Sequence, residues 1–557
     1  METKNMKKPI IAFAAICVFV FAVSAISINI LLNTNSKVSL DKLYNKIDVH
    51  ELTQVKGNVS FEDADIKQSL PDISKYPLQV NSSTEDYIEI FSSTEKAGKG
   101  TDGWLVDVAE AFNRSGFSVG GKPVSVRIRG IASGAAADYI SSGVYIPDAF
   151  SPSNELWGDD LIARGVSLKR VEQRLTGNVA GIVISNKKCE QIEDNYAKDG
   201  KITLKSVVEA VAANDLSMGY TNPFASSTGL NFLVSTLYTF DSGDPLGKAA
   251  SDAFLKFQTN IPYVAYTTLQ MKESAKSGML EGFVFEYQQF MNSPELNAAY
   301  TFIPFGVRHD SPVYAVGELS NMKQEILNEF IKYCKTDESQ KKASECGFNG
   351  LDDYSCDIDG ITGSVVSASQ QLWKEKKSGN RDIIAVFVAD TSGSMVGAPM
   401  NNLKKSLLLG SKYINSNNYV GMVTFSDSIQ IALPINRFDL NQRSYFTGAV
   451  ENMDASGATA MYDAIVVATK MLVDARKDNP DAKLMMFVLT DGESNVGNTL
   501  GNIRGVIEEY RIPIHTIGYN ANIPMLEEIS GINEAASINA DTDDVIYKIQ
   551  NLFNAEM

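Results

Sequence analysis

Apolar positions along the chain fall into two kinds of run, one continuous and the other short and punctuated. The continuous run comes first: Lys4, Lys7 and Lys8 precede an uncharged stretch over 10–28, which Ile30, Leu31 and Leu32 extend. About twenty apolar residues cross a bilayer as a helix, and basic residues ahead of them keep the amino terminus inside. The pattern therefore predicts a single-pass membrane anchor over 1–36, with the bulk of the chain outside the cytoplasm. Val23-Ser24-Ala25 offers a signal-peptidase site that would release a secreted protein instead, but apolar residues continue past it. That continuation, with Ile16 where a small residue is expected, argues against lipidation of Cys17. No polar face interrupts the run, which argues against a buried soluble helix.

Residues 37–83 are polar and weakly periodic, with Pro71 and Pro77 as punctuation, and predict a stalk with some short structure. Over 84–350, short apolar runs (87–91, 124–128, 179–184) alternate with helical patterns such as 105–112, the signature of an α/β domain. A linker over 351–380 carries a predicted helix around 366–377, ended by Ser378-Gly379-Asn380. The block 381–557 alternates more cleanly, with predicted strands at 383–388, 420–425, 484–489 and 512–517. No low-complexity tract and no fixed-period repeat occurs.

Composition narrows the function classes. A length of 557 residues predicts two to four domains, and 44 % hydrophobic with 21 % charged residues excludes a disordered, collagen-like or polytopic chain. A net charge of −17 leaves no excess of Lys and Arg for phosphates, so nucleic acid is not an expected partner. His50, His309 and His515 are far apart in sequence, against a His-rich zinc site. The 5 cysteines do not make a disulfide scaffold. Outside the membrane, Cys189, Cys334, Cys346 and Cys356 admit disulfides, and one local bridge among the last three is the expectation; spacing does not choose the pair, and free thiols stay open.

The sharpest chemistry lies in the last block. The run 383–388 is apolar throughout, as in a strand buried on both faces of a parallel sheet, and leads into Asp390-Thr391-Ser392-Gly393-Ser394. A second such strand leads into Thr490-Asp491-Gly492-Glu493, and between them lies Gly457-Ala458-Thr459-Ala460 before an apolar helix. Ligand sites in open α/β sheets sit at the carboxyl ends of strands. The three loops offer carboxylates and hydroxyls, a hard oxygen set suited to Mg²⁺ or another divalent cation such as Mn²⁺ or Ca²⁺. A phosphotransfer aspartate would need a second aspartate where Ser392 stands, and no Gly-rich phosphate loop follows the strand. The plainer alternative is that Asp390 and Ser392 only cap the next helix. Asp463 and Glu493 read as solvated or capping groups.

This block resembles a von Willebrand factor A domain with a complete metal-ion-dependent adhesion site. The family's D-x-S-x-S motif falls on Asp390, Ser392 and Ser394, its threonine on Thr459 and its later aspartate on Asp491. The resemblance implies a doubly wound, mostly parallel, Rossmann-like sheet. It implies too a metal that keeps one position for a partner's carboxylate, and coupling of that position to the carboxy-terminal helix, here 543–553.

Residues 84–350 are similar to type 2 periplasmic (extracytoplasmic) solute-binding proteins, two α/β lobes around a cleft. The similarity rests on loops of small hydroxylated residues where strands run into helices: Ser92-Ser93-Thr94, Ser133, Ser151, Thr221-Asn222 and Ser226-Ser227. Such residues expose backbone N–H groups at helix starts, which suits small polar or anionic solutes, although Ser and Thr also cap helices without any ligand. The second lobe is expected over about 175–300, with 301–316 returning to the first. Phe150, Tyr220 and Phe224 are candidates for stacking on a ligand.

The sequence thus predicts a membrane-anchored extracytoplasmic binding or adhesion protein. A Mg²⁺ site would grip a protein or surface polymer presenting a carboxylate, beside a sensing or docking solute domain. The alternative is a solute-binding component of a transport or sensing system with the last domain as an assembly module. No nucleophile–His–acid arrangement points to a hydrolase, so no enzyme is expected.

Overall fold

A computed structural model describes residues 39–60, 65–261, 263–265, 271, 280–379, 381–519, 521–533, 535, 537–540 and 544–557. The anchor predicted over 1–36, and Cys17 within it, lie outside these residues. Among the described residues, no helix is long and apolar enough to cross a membrane.

The all-apolar run forms the strand Ile383–Asp390 at the centre of a seven-stranded sheet. Tyr419–Phe425 and Lys483–Thr490 flank it in parallel, and Ile514–Tyr519 and Ser537–Ala540 extend the parallel side. Because side chains alternate across a strand, Ala385, Phe387 and Ala389 enter one core while Ile384, Val386 and Val388 enter the other. Helices Ala398–Gly410, Leu440–Glu451 and Val545–Glu556 cover the first face; Met461–Arg476, Leu500–Tyr510 and Ile523–Ile532 cover the second. The sheet is doubly wound. Gly410 lets the last helix approach closely: a Cβ there would stand 2.8 Å from the Phe553 ring. Beyond Tyr419–Phe425 lies an antiparallel strand, Ile429–Arg437, which the sequence reading did not identify.

The segment predicted as a stalk is built into both blocks. Ser39 caps the helix Leu40–Tyr44, which inserts Leu40 and Leu43 into the second core of the carboxy-terminal sheet. Val49–Glu51 then pairs in parallel with Ile429–Arg437 at the sheet edge, His50 opposite Gln430. Further on, Tyr139 Oη donates to the Pro71 carbonyl (2.7 Å), and Leu78–Val80 pairs antiparallel with Lys122–Gly130. Each of these elements is short, which is why no periodicity announced it.

The middle block has two sheets. The first lobe runs Leu78–Val80, Lys122–Gly130, Asp86–Ser92, Ala149–Ser151, Val313–Val316 and Leu168–Glu172 across the sheet; the second runs Tyr263–Ala265, Met218–Thr221, Gly282–Glu286, Val179–Ser185 and Tyr300–Arg308. Residues 301–316 are not all a return segment. Tyr300–Arg308 is paired with Val179–Ser185, so the chain crosses back only over 309–312. The helix expected around 366–377 in the linker is present as Gly363–Lys376, and it is packed into the lobes: Val366 enters a core cluster with the first lobe's residues and Trp373 the second lobe's, where it is fully buried. Of the local bridge and the free thiols that the sequence leaves open, the structure has the thiols. Cys189, Cys334, Cys346 and Cys356 are all free thiols, Cys334 packed in the first lobe's core.

Candidate functional site

Asp390 is the last residue of the central strand and is fully buried. Its Oδ1 accepts from the Ser392 N–H (2.8 Å) and its Oδ2 from Thr490 Oγ1 (2.5 Å). Ser394 Oγ donates to Asp491 Oδ1 (2.7 Å) and lies 3.0 Å from Ser392 Oγ, so the Ser392 hydroxyl is left to donate to Ser394. Asp390, Ser392, Ser394 and Asp491 thereby form one cluster across the carboxyl ends of two adjacent parallel strands. The Thr459 loop is tied to it through the backbone: Gly393 N–H donates to the Gly457 carbonyl (2.9 Å) and Ser456 N–H to the Thr391 carbonyl (2.8 Å). Thr459 is buried, with its N–H and carbonyl held by Asn495 and its hydroxyl used in neither bond.

Burial raises the Asp390 carboxyl above its ordinary range; the Thr490 and Ser392 hydrogen bonds work against this, and the nearby Asp491 charge adds to it. No ion pair to Asp390 or Asp491 occurs among the described residues, and no lysine or arginine perturbs Asp390. Two neighbouring carboxylates set among hydroxyls and one backbone N–H are oxygen donors of the kind that could hold a hard divalent cation. Thr490 was missed by the sequence reading. Ala389 pairs with Leu489 in the parallel register, which puts Thr490 beside Asp390. Asp463 instead accepts from Asn498 N–H (2.9 Å), and Glu493 accepts from Asn522, the structural roles expected of them.

On the middle block, a cleft of about 160 Å³ lies between the lobes. Of the residues predicted to line it, Ser93, Thr94, Ser133, Ser226 and Ser227 do so. Ser92, Ser151, Thr221 and Asn222 do not: they are buried, Thr221 Oγ1 donating to Ser226 Oγ (2.9 Å) and Asn222 Oδ1 accepting from Phe224 N–H (2.9 Å). The three aromatics are not on the cleft either. Phe150 and Tyr220 are core residues, and Phe224 packs on Trp373 at 5.9 Å between ring centroids. The lobes meet closely, since a Cβ on Gly134 would stand 2.2 Å from the Phe224 carbonyl oxygen.

Behind the cleft is a buried charged network that the sequence reading missed. Lys96, fully buried, donates to Ser93 Oγ and to the Ser151 (2.9 Å) and Pro152 (3.3 Å) carbonyls, with Glu95 at 3.7 Å. Burial pushes Lys96 down to about 8, against the attraction of Glu95 and Glu286. Glu286 accepts from Thr228 Oγ1 (2.7 Å), Asn178 Nδ2 (2.9 Å) and His309 Nδ1 (2.8 Å). Asn154 Nδ2 (2.9 Å) and Asn231 Nδ2 (3.1 Å) both approach His309 Nε2. Asn231 is oriented by its paired bonds to the Val307 N–H and carbonyl, so Nε2 accepts and Nδ1 carries the hydrogen.

The two blocks touch through the carboxy-terminal helix. Tyr547 Oη donates to Asp138 Oδ2 (2.8 Å), on the helix Ser133–Ser142 whose start lines the cleft. Burial pushes the Asp138 carboxyl up to about 6; Tyr547 and Arg164 act to lower it and Asp160 to raise it. A pKa raised above the unfolded value of about 3.9 means that the folded state holds the proton more tightly. This group's stabilising contribution is full below about 4 and is lost as pH rises through about 6. Asp138→Asn is therefore expected to melt at or above the wild-type temperature at pH 7.5 and to lose that advantage at pH 5, as read by differential scanning calorimetry at both pH values.

Comparison with known proteins follows the same division. Residues 385–554 match the model of the von Willebrand factor type A domain, and 97–349 that of a bacterial extracellular solute-binding protein. The inter-alpha-trypsin inhibitor heavy chain H3 of Mesocricetus auratus is 30 % identical over 153 residues, 25 % of this chain and 16 % of that protein. The uncharacterized protein sll0103 of Synechocystis is 25 % identical over 175 residues, 30 % of this chain and 40 % of that one. The chain thus spans less than half the length of either relative. Iron-bound HitA from Pseudomonas aeruginosa superposes with a TM-score of 0.37 at 12 % identity, covering 53 % of this chain and 99 % of that one. One chain therefore carries a bacterial extracellular solute-binding domain over 97–349 and a von Willebrand factor type A domain over 385–554.

Proposed function

We propose that this chain is an extracytoplasmic binding protein, not an enzyme, anchored to the cell membrane through the apolar run at 10–28. Its adhesion site is the cluster of Asp390, Ser392, Ser394, Thr459 and Asp491, which would hold a divalent cation, Mg²⁺ by the hardness of its oxygen ligands. The observation that carries the reading is the convergence of these loops at one sheet edge, with two carboxylates and no basic residue to neutralise them. When bound, the cation offers an open coordination position to a carboxylate on a partner protein or surface polymer. The chain's own part is to fix the geometry. Asp390 is locked by Thr490 and the Ser392 N–H, the two serines bridge to Asp491, and few charged ligands leave the cation electrophilic.

A pull-down from native envelopes tests the adhesion reading. A partner retained in Mg²⁺ is expected to be lost in EDTA and lost from the Asp390→Ala chain; equal retention in all three removes the metal-dependent mechanism. The interlobe cleft favours a second reading, a solute-binding component of a transport or sensing system. Under it, a solute in the cleft stabilises the chain by mass action, by about 2.7 kcal/mol at a hundredfold excess over its dissociation constant, which a thermal-shift screen would detect.

A further inference from the structure

The cleft between the lobes is lined by acceptors more than by donors. Glu95 and Glu286 both border it, 9 % and 4 % exposed. Glu286 holds three protein hydrogen bonds, which leaves an acceptor position on Oε2, and Glu95 Oε1 accepts from Ser93 Oγ (2.5 Å). Lys96 does not face the cleft, because its ammonium group is held by Ser93 and two carbonyls. His309 cannot offset Glu286 either, since two amide donors occupy its Nε2. Two wall atoms have no protein partner among the described residues: Ser133 Oγ, on a side chain 4 % exposed, and Gln289 Oε1. A buried polar atom left without a partner in a native fold calls for an occupant.

We propose that the cleft takes a small solute bearing a protonated amine, its N–H donors served by Glu95, Glu286 and Gln289 Oε1 and its oxygen atoms by the Ser133, Ser226 and Ser227 hydroxyls. This inference rests on the solute-binding reading and names its ligand class. Of the small polar or anionic solutes expected from the sequence, it selects a polar, cationic one. The loops do present helix starts, but an anion entering there would meet Glu95 and Glu286 with one cation between them: Lys96 pairs with Glu95 at 3.7 Å and turns its hydrogens to Ser93 and two carbonyls, away from the cleft. A cleft of about 160 Å³ holds a molecule of only several heavy atoms.

Isothermal titration of the full chain with ethanolamine, L-serine and L-threonine, against sulfate, phosphate and glycerol, tests the proposal. At least one amine is expected to bind, with affinity falling about tenfold to a hundredfold in Glu95→Gln, the cost of a charge-assisted hydrogen bond, and less in Ser133→Ala. Ser133→Ala removes a hydroxyl with no protein partner, so its fold is retained and it reads the ligand contact even if Glu95→Gln, beside Lys96, fails to fold. Binding of sulfate, phosphate or glycerol in place of the amines overturns the ligand class and leaves the solute-binding reading standing, as does amine binding unchanged in both variants. Heat from none of the six compounds overturns both.

Discussion

Asp390→Ala is expected to weaken divalent-cation binding by more than a hundredfold and, with it, to abolish capture of a carboxylate-bearing partner. Replacing residues that merely orient a metal's ligands typically costs tenfold to a hundredfold in affinity, and Asp390 would itself be a ligand. It is also the residue on which the others are aligned, through Thr490 on the next strand and the Ser392 N–H at the turn. Thr490→Val, which removes only the orienting hydroxyl, should cost about tenfold. Titration with Mn²⁺ followed by electron paramagnetic resonance measures both directly. A parallel melting series with and without Mg²⁺ gives an independent reading, because a cation that binds only the folded chain raises its melting temperature. Asp390→Asn is the control for folding: it keeps an acceptor for the buried Ser392 N–H, whose loss in the alanine variant costs about 1–3 kcal/mol on its own. An Asp390→Ala chain that folds, binds Mn²⁺ as the wild type does and melts higher in Mg²⁺ would show that the cluster is only a helix-capping arrangement.

The sheet edge was legible because its chemistry is compact in sequence. A strand buried on both faces must be apolar throughout, so 383–388 and 484–489 stood out, and the polar residues after them marked the carboxyl ends where ligands bind. The cleft was only partly legible. Hydroxylated loops were visible, but a buried carboxylate such as Glu286 at the end of Gly282–Glu286 looks in sequence like any exposed glutamate, and its partner His309 lies on a crossover between lobes. The same limit hid Lys96, whose burial depends on carbonyls of the Ser151 loop. The segment 39–80 failed for another reason. Leu40, Leu43 and the three-residue strand Val49–Glu51 act through contacts with residues some four hundred positions away, and no local period reports such contacts.

Trp373→Ala should lower global stability by about 3–5 kcal/mol, the range for truncating a fully buried aromatic, although it lies in a segment that reads as a linker. Trp373 Nε1 donates to Tyr220 Oη (2.6 Å), which donates to Gln258 Oε1 (2.6 Å), and Gln258 Nε2 returns to the Lys377 carbonyl (3.1 Å). This closed circuit fastens the second lobe to the end of the helix Gly363–Lys376, a few residues before the central strand of the next domain begins. Ala555 of the last helix packs in the same cluster. The indole therefore joins the second lobe's core to both ends of the von Willebrand factor type A domain. Its removal is expected to do more than open a cavity: with these contacts intact the wild type should unfold in one concerted transition, and the alanine variant in two, one per domain. Trp373→Phe keeps most of the ring and loses the N–H, so it should cost about 1–2 kcal/mol and leave unfolding concerted. A loss under about 1 kcal/mol for the alanine variant would mean that the helix is a tether after all, and coupling between the two blocks would then fall to contacts such as that of Tyr547 with Asp138.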